Sequence, residues 1–169
     1  MKGGDRHITI PDDIITTAKY TMYRHGGMPP TLYVCGTRQT VSFPMPQAEN
    51  SVGRAEQMIH TAIQLAQSGT VGDIELVVFV SDAWASPARE PFIYPHKDKN
   101  RCEVLVISAL DGRTKEQKLL LFACIREPNG VLRDLKPLPV PALVKVEGPL
   151  LRAFLTGYRL VQGSLATNP

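Results

Sequence analysis

The chain has 169 residues, 43% hydrophobic and 21% charged, with a net charge of +3. This is ordinary globular usage, enough for one domain burying roughly 70% of the surface its unfolded chain exposes, and it excludes global disorder. The 19 basic and 16 acidic residues are interspersed, so no basic stripe marks a nucleic-acid binder, and no apolar run approaches the ~20 residues that span a bilayer.

Met1 to His7 carries no apolar core of a secretory signal, and residues 1 to 8 read as a loose or strand-like leader. The three cysteines, Cys35, Cys102 and Cys124, lie far apart within apolar segments, which argues against a secreted disulfide framework. The expectation is a cytoplasmic, reduced protein with inert, packed thiols.

Thr9-Ile10-Pro11-Asp12-Asp13 reads as a helix start: a capping Thr, an early proline, and two carboxylates where the helix dipole favours them. Ile14, Ala18 and Met22, with Ile15 beside them, give that helix one core-facing stripe. His25-Gly26-Gly27 ends it, and Pro29-Pro30 prevents its continuation.

Leu32 to Phe43 reads as a hairpin with two competing registers. A Gly36-Thr37 turn suits type II′ chemistry but sets Val34 against Gln39. A turn centred on Thr37-Arg38 sets Val34 against Val41 and Leu32 against Phe43, leaving Thr40 and Ser42 on the other face. The second register is expected, because a one-residue slip would move the whole apolar set to the wrong side.

After the loop Pro44 to Glu49, Asn50 or Ser51 caps a second helix whose apolar stripe is Ala55, Met58, Ile59, Ala62, Ile63 and Ala66, and Ser68-Gly69 stops it. Glu56 and His60 share its polar face, but two ligands fall short of a zinc site, and no metal is expected.

Leu76 to Val80 is apolar throughout, the mark of a central strand covered on both faces. The strand is expected to end there, placing Ser81, Asp82 and the only tryptophan, Trp84, at its C-terminal end, where binding sites collect in helix-flanked sheets. Ala85 to Arg101 follows as a proline- and charge-rich loop of ~17 residues, long enough to be a lid or binding loop.

Cys102 to Ala109 and Lys118 to Arg126 read as two more strands, antiparallel because their connection is short. Leu135 to Pro149, with four prolines after Lys136, reads as an extended arm outside the core. Pro149 to Gly157 reads as a short last helix with proline at its start and glycine at its end, and 162–169 as a frayed tail.

The expected fold is therefore α+β (or α/β), one domain over 1–169. It has a single mixed, mainly antiparallel five-stranded sheet with helices on both faces, in the order α-β-β-α-β-β-β-α. The helix between the hairpin and the central strand covers one face, and the N-terminal helix covers the other. The helix–hairpin–helix–strand order resembles that of the zinc deaminases in element order only, since their H-x-E and P-C-x-x-C ligand motifs are missing.

No phosphate-cradling loop, dinucleotide fingerprint, nucleophile elbow or H-E-x-x-H motif is present, and no cofactor is implied. The binding candidates are Ser81, Asp82 and Trp84 with Arg89, Tyr94 and His96 from the following loop, because Arg holds carboxylate or phosphate while Trp and Tyr stack. The favoured reading is a binding module that pairs with itself or with a protein partner, through the 135–149 arm or the 85–101 loop. The alternative is a hydrolase or transferase using Asp82 with Arg89 and His96. A third, disfavoured reading is nucleic-acid binding through Lys97, Lys99, Arg101 and Arg113.

Overall fold

The structure is a computed structural model, and it describes residues 8–48, 50–86, 97–140 and 149–167. In chain order the elements are α1 (Asp12–His25), β1 (Thr31–Gly36), β2 (Thr40–Pro44), α2 (Ser51–Ser68), β3 (Ile74–Ala85), β4 (Cys102–Asp111), β5 (Gln117–Arg126), β6 (Leu132–Leu138) and α3 (Pro149–Thr167). The strands form one six-stranded sheet in the order β2-β1-β3-β4-β5-β6, and every adjacent pair is antiparallel.

β2 and β3 run in the same direction on either side of β1, so the chain must cross β1 to join them. α2 makes that crossing and buries Met58, Ala62, Leu65 and Ala66 with Leu32 and Val34 of β1 beneath. α3 lies against α2 and adds Leu151, Phe154, Leu155 and Tyr158 to the same core. On the opposite face α1 sets Ile14, Ala18 and Met22 over Val78, Val80, Leu105 and Ile107. Helices thus cover both faces, as the two-sided apolar strands require.

The β1–β2 hairpin adopts the expected register, with Leu32 opposite Phe43 and Val34 opposite Val41. Asn50 caps α2 by accepting the Gly53 N–H at 2.9 Å, and Gly69 ends it in the left-handed region at φ 64°. The start of α1 differs from expectation. Pro11 holds the N-cap position, and Asp13, not Thr9, takes up a first-turn donor by accepting the Ile14 N–H at 2.9 Å.

Several further expectations are corrected. The sheet has six strands rather than five and is not mixed, because the first part of the expected 135–149 arm is β6, which buries Leu132 and Leu135. An edge position tolerates Pro137, since the outer side of an edge strand needs no ladder donor. The remainder of that arm, residues 141–148, lies outside the described residues.

β3 does not stop at Val80. It continues through Ser81, Asp82, Ala83 and Trp84, each paired with β4. Ladder bonds to a long neighbour outweigh the change in side-chain character.

α3 runs to Thr167, past both Gly157 and the expected frayed tail at 162. Gly157 is an interior helical residue facing α2, not a stop; a Cβ there would lie 3.6 Å from Ala62 Cβ and 3.8 Å from Ile59 Cγ2. The packing of Phe154 and Tyr158 against α2 carries the helix through it.

Gly157→Ala is expected to raise stability by about 0.5–1 kcal/mol, because alanine removes the helix penalty of glycine and meets only ordinary contacts. Urea unfolding checks this. A loss of stability would mean that the helix ends there in solution.

Candidate functional site

Strand alternation divides the predicted residues. Val78 and Val80 face α1, so Asp82 and Trp84 follow on that face, while Ser81 points to the side of α2 and α3. α1 ends at His25, and beyond it β3 is no longer roofed by a helix. Asp82 is exposed, and Trp84 keeps 47% of its surface accessible. Of the described members of the sequence-derived set, Asp82 and Trp84 share one face here. Arg89, Tyr94 and His96 lie outside the described residues.

The turn after α1 is tied down by Asp82. Its carboxylate accepts the Met28 N–H at 3.1 Å, and its own N–H donates to the Met28 carbonyl at 3.3 Å. Gly26 adopts φ 74° to end the helix, and its N–H returns to the Met22 carbonyl at 2.8 Å. At Gly27 a Cβ would come within 3.1 Å of the Asp82 Oδ2. The His25-Gly26-Gly27 sequence therefore serves as a helix end that brings backbone against a carboxylate. A cavity of about 340 Å³ opens beside it, lined by His25, Gly27, Met28, Pro29, Gln47 and Asp82.

Next to this lies an ion pair with no signature in the residue pattern. Arg126 of β5 donates through Nε and Nη2 to the two carboxylate oxygens of Glu103 on β4, both at 2.6 Å. Its Nη2 also donates to the Gly26 carbonyl at 2.6 Å, and its Nη1 to the Gly130 carbonyl at 2.9 Å. The two side chains are 25% and 20% exposed. Hydrogen bonding to Glu103 holds the Arg126 pKa above its ordinary value, with burial opposing. One guanidinium thus joins two strands, the end of α1 and the β5–β6 turn.

Glu103 stands opposite Trp84 across the β3–β4 ladder. The Arg101 guanidinium lies 4.3 Å from the Trp84 ring centroid, a cation–π stack. A short turn sets up that stack. Asp98, 3% exposed, accepts the Asn100 N–H at 2.8 Å through its side chain and the Arg101 N–H at 3.3 Å through its carbonyl. The stacking partner from the 85–101 loop is therefore Arg101, at its very end. Glu103 and Arg126 were hidden because each sits in a run whose apolar neighbours read as core.

The four cations considered for nucleic acid do not converge. Arg101 adjoins the Cys102 end of β4, whereas Arg113 follows its Asp111 end and pairs with Glu75 at 3.2 Å. Among the described residues no group of three or more His, Cys, Asp or Glu could hold a metal ion. No helix there is long and apolar enough to cross a membrane.

One thiol departs from the inert, packed set expected. Cys102 is exposed. Burial, reinforced by the charge of Glu103, pushes the Cys124 thiol up to about 11, and burial raises Cys35 as well. No family model, curated protein or solved structure matches the chain.

Two outcomes follow from this geometry. Arg126→Met removes the clamp but keeps the aliphatic stem; it is expected to cost roughly 2–3 kcal/mol in urea unfolding, allowing for partial solvent screening, and adding Glu103→Gln should recover part of the loss. Alkylation near pH 8 is expected to modify Cys102 first. Cys124 should react slowly until the pH climbs toward 11, where its thiolate forms, and peptide mapping reads the order.

Proposed function

We propose that the chain is a protein-binding module that pairs with a second copy of itself through the Trp84 end of the sheet. The observation that carries this reading is the exposed, pre-positioned Trp84–Arg101 stack. Trp, Tyr and Arg dominate binding hot spots, and a rigid aromatic loses little entropy on contact. Tyr23 of α1, 48% exposed, and Val131, next to the clamped Gly130 and 59% exposed, supply further apolar surface. The Glu103–Arg126 pair fixes β4 to β5 directly beside the strand on which Trp84 sits, so the surface is organised before any partner arrives.

The start of the expected 135–149 arm, through Leu138, belongs to the chain's own sheet as β6, which favours the Trp84 end as the contact. The second reading, a hydrolase or transferase, draws on the cavity that Asp82 shares with His25. It is weaker, because the Asp82 carboxylate already anchors the Met28 N–H.

Sedimentation analysis from micromolar to millimolar concentration is expected to show a dimer that Trp84→Ala converts to monomer. Because Trp84 is the only tryptophan, its emission should shift to the blue as the dimer forms. At concentrations where both chains are monomeric, the variant should unfold within about 1 kcal/mol of the parent, the difference being the exposed Trp84–Arg101 stack. A strict monomer at the highest soluble concentration sinks self-association.

A further inference from the structure

We propose that the groove between α3 and the β4–β5 hairpin binds a small amphipathic anion, a carboxylate or phosphate head on a short apolar chain. The groove holds about 400 Å³ and is lined by Lys115, Arg152, Leu155, Thr156, Arg159 and Leu160. That volume lies in the range of small-molecule sites. Three cations converge on it, and among the described residues no carboxylate lines it.

Three acids of the neighbouring turns are engaged elsewhere, while Glu116, beside Lys115, is exposed and does not line the groove. Asp111 accepts the backbone N–H groups of Arg113 and Thr114 at 2.7 and 2.8 Å. Glu75 pairs with Arg113 at 3.2 Å, and Asp73 accepts from Gln162 at 2.8 Å.

The cations are placed rather than scattered. Arg152, Thr156 and Arg159 succeed one another along one face of α3. Arg159 is held by donating from Nη2 to the Gly112 carbonyl, while Arg152 has no ion pair among the described residues. Lys115 enters from the hairpin at φ 62°, the one described non-glycine residue with positive φ. Glycine or asparagine would be relaxed at that turn position, yet a lysine stands there, and such outliers concentrate at functional sites.

Leu155, 3% exposed, forms the floor, and Leu160, 70% exposed, forms an apolar wall. Guanidinium forks take carboxylate or phosphate oxygens, and the leucines take the apolar chain. The site owes nothing to the Trp84 surface, which lies at the other end of β4.

Calorimetric titration of the full chain with octyl phosphate, with inorganic phosphate and with vesicles carrying an anionic lipid tests this. Octyl phosphate is expected to bind about tenfold or more tighter than inorganic phosphate, through burial of its chain. Arg152→Glu should weaken it by about tenfold or more. Lys115→Gly should also weaken binding while raising the unfolding midpoint, because glycine relaxes the backbone, so lost affinity cannot be lost folding. Binding confined to vesicles and abolished by Arg152→Glu assigns the same groove to a lipid headgroup. Absence of both octyl phosphate and vesicle binding, or affinity unchanged in the Arg152→Glu chain, overturns the proposal.

Discussion

The first half of β3 buries apolar side chains on both of its faces, so the sheet cannot exist without a helical layer above and below it. Every other placement answers that demand. α2 is drawn across β1 by the β2-to-β3 crossover, α3 stacks on α2, and α1 takes the opposite side. The covering is incomplete for a simple geometric reason. β3 runs on for 12 residues, whereas α1 stops at His25 and hands over to the turn that Asp82 ties down. Where the roof ends the strand goes on, and Asp82 and Trp84 come into the open.

An exposed strand end needs bracing, and Arg126 supplies it. Its guanidinium meets a carboxylate in the fork geometry and satisfies two backbone carbonyls from different parts of the chain. The gain is specificity of position as much as energy. The pair fixes how β4, β5, the end of α1 and the β5–β6 turn meet, and Trp84 inherits that rigidity through its cross-strand neighbour Glu103. A lysine at this position could not make both forked bonds and reach the carbonyls from one planar group.

The two surfaces set apart by this framework differ in chemistry and in place. The Trp84 end is aromatic and carries paired charges, while the groove beside α3 is apolar with unbalanced cations. β4 spans the distance between them, roughly 30 Å for its 10 residues. Occupation of one therefore need not disturb the other.

Much of this fold was legible from residues alone, and the reasons are local. The apolar run Leu76 to Val80, the hairpin register of Val34 and Val41, the Asn50 cap and the glycine stops at Gly26 and Gly69 all depend on side-chain spacing or backbone freedom within a few residues. Three features depended instead on partners distant in sequence. β6 pairs with β5 despite Pro137, Gly157 is helical because α2 packs beside it, and β3 continues through Asp82 because β4 lies alongside. Trp84 and Asp82 could be singled out by residue type, but Glu103 and Arg126 could not, since their pairing exists only once two strands lie side by side. Sequence by itself determined which segments are apolar on one side or both, and hence that helices must layer a sheet. Tertiary structure alone decided where that layering stops, because the reach of a helix over a strand depends on which elements finally pack together.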